Sequence, residues 1–549
     1  MAEPPLIDIR PDQWEIVRDI LHKHVPDREV WAFGSRAHWT AKQYSDLDLA
    51  VLGNEALDLG TLAGLEEDFS ESDLPFKVDV VDWATTSEAF RGIIEKGRVL
   101  VQEMKSKSPI PHPTEWPIVQ IGDITSKVGS GATPTGGNGA YLGTRTRFAL
   151  IRSQNVFDRY FNPAGLAFIS DEQAERLRGV ILHPGDLLLN ITGDGITFSR
   201  ACAVPHTVLP ACVNQHVAIV RVDNSVADPG YVLGYLTHPS VKSYIESFNA
   251  GGSRRAITKG NIESFHLPLP PLPEQRAIAR ILGALDDKIE LNRHMNADLE
   301  AMARAVFKDW FVDFGPVRAK AEGRPAYLAP GIWDLFPDSL DDEDKPLGWV
   351  VSPLAEIAEL NPRERLGKTE LAPYLEMSAL PTGGCWPDLP VPRPFEAGSK
   401  FQNGDTLLAR ITPCLENGKT AFIRCLEDGQ VGWGSTEFIV IRPKKPFPEE
   451  FGYLLARDAR FREFAIQSMT GTSGRQRVQV DSLAGYEMTI PCADLLPIFG
   501  ALVKPWFAQI KANAGEFQTL SRLRDLLLPK LITGAIRVRD AEKAVEAIV

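Results

Sequence analysis

Residues 267–314 read LPLPPLPEQRAIARILGALDDKIELNRHMNADLEAMARAVFKDWFVDF, and this stretch decides the fold. Pro268, Pro270, Pro271 and Pro273 cannot donate to a helical ladder, so they hold an extended lead-in, and Glu274 then stands in a first turn where the helix dipole favours an acid. No further proline occurs until Pro316. From Ile278 an apolar stripe recurs at helical spacing through Ile281, Leu282, Leu285, Ile289, Met295, Leu299, Met302, Val306 and Trp310. A seven-residue step through Ile278, Leu285, Asn292, Leu299 and Val306 marks one half of a coiled coil, with Asn292 as its polar register residue. Roughly 38 helical residues span about 57 Å, more than an ordinary globular helix needs. Such a helix requires a partner.

The partner lies in the same chain, about 220 residues downstream, a displacement found by looking for internal repeats. Residues 492–534, CADLLPIFGALVKPWFAQIKANAGEFQTLSRLRDLLLPKLITG, place Phe499, Trp506, Asn513, Leu520 and Leu527 where Ile278, Leu285, Asn292, Leu299 and Val306 stood. Even the polar residue recurs in its place. Pro505 is expected to kink this second helix near its start.

Upstream of each helix the chain repeats a second pattern. EWPIVQIGDITS around Trp116 returns as GWVVSPLAEIAELNP around Trp349, GDLLLNITGD at Gly185 as GDTLLARITP at Gly404, and AGGSRRAITKGNIESFHLPLP as TGTSGRQRVQVDSLAGYEMTIP. Short apolar runs separated by Gly, Pro and Asn predict two α+β globules with β-rich bodies, at 116–272 and 349–491. They run into long helices at 273–315 and at 492–549, the latter with a tail. A Pro-containing linker at 106–115 and an acidic one at 316–348, with Asp341-Asp342-Glu343-Asp344, divide the chain. Arg254, Arg255 and Lys259 in the first globule, and Arg475, Gln476 and Arg477 in the second, sit in polar, Gly-flanked loops. From there Arg can reach guanine edges and Gln adenine edges, or they can bind phosphates, or simply brace the loop against its own domain.

The order globule, helix, globule, helix resembles the DNA-specificity subunit of type I restriction-modification systems over residues 115–540. PLPPLPEQRAIARILGALDDKIELN, LRDLLLPKLITGAIRV, RSQNV and GDLLLNITG carry the likeness. The resemblance implies two target-recognition domains reading the halves of a split double-stranded DNA sequence, with the helices as a caliper for the unread spacer. It also implies two modification (methyltransferase) subunits docked on the chain and a restriction (motor-nuclease) subunit for cleavage. A rod of about 57 Å against a DNA turn of about 34–36 Å puts the half-sites between one and two turns apart. The chain has no NPPY-like or DPPY-like motif and no GxGxxG. Gly418-Lys419-Thr420 is no P-loop, because Pro413 stands where the first glycine is required, and it is expected as a surface turn.

The first 105 residues carry a different pattern. After a helix-like stretch at Pro11–His24, Val30–Phe33 and residues 47–52 read as buried strands, with Gly34-Ser35 as a tight turn and Arg36 behind it. Asp46 and Asp48, two apart on a strand, share a face that Asp79 of FKVDVVD can join. Three carboxylates on one face repel one another unless a cation sits among them, which is the arrangement two-metal phosphoryl transfer uses. Gly34, Ser35 and Arg36 would then meet the triphosphate. GS followed by DxD and a third Asp resembles the minimal nucleotidyltransferases, including small antitoxin-type enzymes that transfer AMP. That resemblance implies Mg2+ and an NTP as cofactors. The same aspartates would also serve to cap a turn and solvate an edge, and the fold can keep the triad as an interaction module only.

The net charge of -13 is concentrated here: residues 1–104 hold 21 acidic and 10 basic residues, leaving only -2 on the other 445. The remainder can therefore carry basic faces for nucleic acid. Six cysteines without a CxxC pair predict reduced thiols, and neither a signal peptide nor an apolar run of membrane length is visible, so a cytoplasmic protein with no membrane partner is expected. The expected fold is multidomain α+β: a nucleotidyltransferase-like α/β domain, then two target-recognition domains alternating with two long helices paired as an antiparallel coiled coil. The alternative makes the nucleotidyltransferase the active end and the rest a DNA-targeting scaffold.

Overall fold

The structure, a computed structural model, describes residues 5–26, 28–42, 44–53, 56–102, 108–193, 196–248, 255–472 and 474–546. It divides into two units, Met1–Leu282 with Leu527–Val549, and Gly283–Leu526.

In the first unit, the helix Pro11–His24 stands where its sequence places it, burying Trp14, Val17 and Leu21. It shares a core with Val30, Leu47, Leu49 and Val78. Those residues come from a four-stranded sheet of β1 (Val30–Phe33), β2 (Leu47–Val51), β3 (Val78–Asp82) and β4 (Val99–Gln102), in the order β3-β2-β1-β4. β2 and β3 run parallel, and β1 is antiparallel to both β2 and β4. Gly34 and Ser35, expected as a turn, open a single helical turn, Gly34–Ala37. From Ser108 the expected linker is packed, with Ser108 and Ile110 buried.

The two globules share one plan, each within its own unit. In the first, a four-stranded sheet runs Ala201–Ala203, Leu187–Asn190, Val217–Val222, Thr125–Ser130. In the second the same order appears as Thr420–Phe422, Thr406–Ala409, Phe438–Pro443, Ala358–Leu360. The central strands Leu187–Asn190 and Thr406–Ala409 are buried at every position, which is why three apolar residues follow one another in each without alternation. A second sheet in each globule contains one parallel pair, Phe148–Ile151 with Ala211–Val213 and Leu371–Leu375 with Gly432–Gly434. The strand entering each globule pairs with the strand that leaves it for the long helix: Ile118–Gln120 with His266–Pro268, and Val350–Pro353 with Glu487–Ile490.

A buried ion pair is duplicated with the fold. Asp186, fully buried, takes both Nε and Nη2 of Arg221 at 2.7 and 2.8 Å and accepts from the His183 backbone at 2.8 Å. Asp405 does the same with Arg442 at 2.6 and 2.7 Å and with the Gln402 backbone at 2.8 Å. Each follows a glycine at positive φ, Gly185 at 87° and Gly404 at 94°, a conformation side chains resist. These are the GD dipeptides of the two echoed segments. Gly418-Lys419-Thr420 is not the surface turn expected: Gly418 and Thr420 are buried, and Thr420 opens a strand.

The long helices are Leu272–Phe311, 40 residues, and Leu495–Ile532, 38 residues, the second continuing as helix through Pro505. Within the second unit they are antiparallel, since Asp286 meets Arg524, Asn292 meets Glu516 and Asn296 meets Asn513. Both register residues, Asn292 and Asn513, are buried. Met295 and Met302, expected in the seam, are 37% and 49% exposed. An α-helix at 3.6 residues per turn drifts off a strict seven-residue step, so the buried face passes through Glu300, Ala303 and Phe307, with Leu299 and Val306 half-buried beside it. The acidic segment 316–348 is likewise more than a linker: Val317, Ala319 and Phe336 are buried, and Phe336 packs against Trp310 and Trp349.

Among the described residues no helix is long and apolar enough to cross a membrane.

Candidate functional site

The N-terminal carboxylates come from adjacent strands. Parallel pairing of β2 and β3 puts Asp48 directly beside Asp79, and Asp46 immediately precedes β2. Burial raises the Asp48 carboxyl above the usual range, and the charges of Asp79 and Asp46 push it further the same way. The three therefore feel one another as like charges. Gly34, at φ 74°, lies against this group, and a Cβ there would stand 2.3 Å from Asp48 Oδ2. Only glycine lets the turn and the carboxylate share that space.

A divalent cation suits this donor set, because it would relieve the repulsion that lifts Asp48. The side chains are not yet gathered around one: Asp79 faces Lys77 Nζ at 2.6 Å, and among the described residues no three His, Cys, Asp or Glu converge on a metal position. Ser35 is half-buried beside Gly34. Arg36, expected at the phosphates, turns inward. Its Nε donates to the Ser45 carbonyl at 2.9 Å and its Nη1 to that of Asp8 at 2.8 Å, with the guanidinium 3.7 Å from the centre of the Phe76 ring. Burial lowers its pKa while Asp8 and Asp46 oppose that shift, so Arg36 braces the domain.

The loops expected to touch DNA divide similarly. Arg254 lies outside the described residues. Arg255 pairs with Glu246 at 2.8 Å, and Lys259 with Glu263 at 3.3 Å, one turn along the same short helix. Arg477 makes a forked contact with Glu437, Nη2 at 2.7 Å and Nε at 2.9 Å, while the Gln476 carbonyl accepts from the Thr412 backbone at 3.0 Å. Arg475 is exposed, and the hydrogen bonds it makes among the described residues run through its backbone. Of these residues, Arg475 is the one left facing solvent without an ion pair among the described residues.

A nucleotidyltransferase-type sheet followed by a duplicated globule-and-helix chain defines a fusion of two classes, and comparison with known proteins gives both. Residues 15–106 match the family "Polymerase beta, Nucleotidyltransferase", and residues 113–301 match "Type I restriction modification DNA specificity domain". Over 97 residues, 18% of this chain and 85% of the relative, the sequence is 56% identical to a probable protein adenylyltransferase, MntA, of Haemophilus influenzae. Over 447 residues, 78% of this chain and 95% of the relative, it is 24% identical to the type I restriction enzyme MjaIX specificity subunit of Methanocaldococcus jannaschii. The solved S subunit of a type I restriction-modification system from M. genitalium aligns with 77% of this chain and 98% of its own, at 13% identity and a TM-score of 0.46. Residues 113–301 thus carry a type I specificity domain, and the N-terminal domain belongs to the nucleotidyltransferases.

Proposed function

We propose that this protein is the specificity subunit of a type I restriction-modification complex, reading a split double-stranded DNA target with its two globules and carrying a nucleotidyltransferase as an added domain. The observation that supports it is the duplication itself: two globules of one plan, each leading into a long helix, with the helices antiparallel. Modification subunits dock on the long helices, where Leu291, Met295 and Met302 expose an apolar strip at steps of four and seven. They supply the methyl transfer, and a restriction subunit joins for cleavage. Exchanging residues 116–265 for those of a relative should change one half of the recognised sequence in methylation mapping. Changes in both halves would sink the two-reader assignment.

For the N-terminal domain we infer binding of an NTP with Mg2+ at Asp46, Asp48 and Asp79, the Gly34-Ser35 backbone facing the triphosphate. The cation would supply charge neutralisation at the transferred phosphoryl group. Asp79 would give up Lys77 to hold the cation, and the lack of a side chain at Gly34 would keep the approach to Asp48 clear. Likeness to a protein adenylyltransferase supports AMP transfer to a protein acceptor. ATP titrated with magnesium into the full chain, beside an Asp46→Asn, Asp48→Asn variant, tests this. Equal binding by both, or by neither, leaves an interaction module. Turnover of NTP without capture of modification subunits would favour the nucleotidyltransferase as the active end.

A further inference from the structure

We propose that the second globule holds DNA in a cleft of about 800 Å3 walled by residues 361–365, Gly398, Ser399, Lys400 and Thr436, with Arg363 and Arg365 as its DNA-contacting side chains. The inference rests on the specificity-subunit reading and assigns to it a site outside the loops that sequence suggested.

Segment 361–365, NPRER, leaves the edge strand Ala358–Leu360 and is held down at alternate positions. Asn361, at φ 51°, brackets Val440: its backbone N–H donates to the Val440 carbonyl at 2.8 Å and its Oδ1 accepts from the Val440 N–H at 2.9 Å. Pro362 is buried. Glu364 turns inward and takes Nη1 of Arg442 at 2.7 Å, the same guanidinium that grips buried Asp405. Arg363 and Arg365, on either side of Glu364, are thereby both directed outward and exposed. The acid that would have neutralised them is committed to Arg442.

Lys400 crosses the cleft and donates to the Glu364 carbonyl at 3.0 Å, adding a third positive charge to the wall. The exposed Thr436 adds a hydroxyl to this cationic wall, a side-chain set that meets phosphate oxygens and base edges, while the Ser399 hydroxyl is held by the Phe438 carbonyl at 2.8 Å. Thr436 is followed by Glu437, which holds Arg477, two residues along the chain from the exposed Arg475.

The first globule shows that the fold does not need these charges. There the corresponding segment after the edge strand is GATPTGGN, and no charged residue occurs between Lys127 and Arg145. Gly131 packs so tightly that a Cβ would come within 2.1 Å of the Val213 carbonyl oxygen. Among the described residues the buried pair Asp186–Arg221 has no second carboxylate of the Glu364 kind, yet the sheet order is unchanged. The arginines and the glutamate that aims them are additions particular to the second reader.

The test uses the full chain with its modification subunits and a labelled duplex carrying the target found by methylation mapping, beside an unrelated duplex. Arg363→Ala, Arg365→Ala together should weaken target binding at least about 30-fold and, where both touch phosphate, flatten the slope of log K against log salt by about 1.8. The melting temperature should stay at the wild-type value, because both side chains are exposed. The paired lysine variant identifies the contact: recovery of affinity assigns the arginines to phosphates, and continued loss assigns them to forked contacts with bases, either result supporting the site. Wild-type affinity and slope in the alanine variant would overturn the site alone. A wild-type protein that does not prefer its target over the unrelated duplex would overturn the specificity reading and the site with it.

Discussion

The side-chain amide of Asn513 donates to Asn296 Oδ1 at 2.8 Å across the helix pair. Asn292, its counterpart in the first helix, donates to Glu516 Oε2 at 2.9 Å. Both amides are buried between the helices, so each is satisfied at one alignment of the pair and stranded at others. Asn513→Ala is expected to cost about 1–3 kcal/mol, because Asn296 Oδ1 loses its donor. A double-mutant cycle with Asn296→Ala should return a coupling of about 0.5–1.5 kcal/mol in urea unfolding. Zero coupling would remove the register role.

The exposed methionines make a separate prediction. Met295→Glu with Met302→Glu should leave the melting temperature nearly unchanged, since neither residue lies in the seam. Capture of modification subunits in co-purification should fall at least about tenfold. Undiminished capture would place the docking surface elsewhere.

Asp48 gives a pH dependence with a definite sign. Its folded pKa is raised, by burial first and then by Asp79 and Asp46, so ionising it destabilises the N-terminal domain. Its contribution to stability is fully present below the unfolded carboxyl value, about 3.9, and is lost as pH rises through the higher folded value. Asp48→Asn should therefore raise the unfolding temperature of this domain at pH 7, and the gain should vanish near pH 4. A magnesium titration at pH 7 should stabilise the wild type but not the variant. The opposite sign in differential scanning fluorimetry would contradict the crowding of charge at this position.

Gly34→Ala probes the same place sterically. The new methyl would meet Asp48 Oδ2 at 2.3 Å from a backbone at φ 74°, so both the turn and the carboxylate must move. We expect a loss of about 1–3 kcal/mol in the N-terminal domain and abolished ATP binding. Binding with wild-type affinity would show that the Gly34 turn does not border the nucleotide.

What the sequence made legible was local or repeated. The proline lead-in, the apolar period and the recurrence of Asn292 as Asn513 gave both long helices to within a few residues, and Val30–Phe33 is a strand at the expected bounds. Pairings between distant positions were not legible. Arg477 looked free for DNA because its partner, Glu437, is 40 residues away, and Arg36 looked free for phosphate because the Asp8 carbonyl that holds it is 28 residues away. The segment 316–348 read as a linker from its acids, whereas Trp310, Phe336 and Trp349 meet only once the chain has turned back. Met295 and Met302 were misplaced because an apolar side chain at helical spacing does not by itself show that its face of the helix is covered.

The first unit is completed by residues 527–549, which follow the whole of the second unit along the chain. A Cβ on Gly234 would lie 2.8 Å from Ile532 Cδ1, Gly534 sits against Pro113 and Trp116, and Glu542 pairs with Arg280 at 2.5 Å. Residue 527 is made about 245 residues after residue 282, a delay of about 12–50 s on a ribosome adding 5–20 residues per second. During that interval Gly234, Leu282 and Trp116 lack their native cover while the second globule is still being translated. The nascent first reader thus waits with this face uncovered, and a message truncated anywhere in the second reader would leave both readers incomplete.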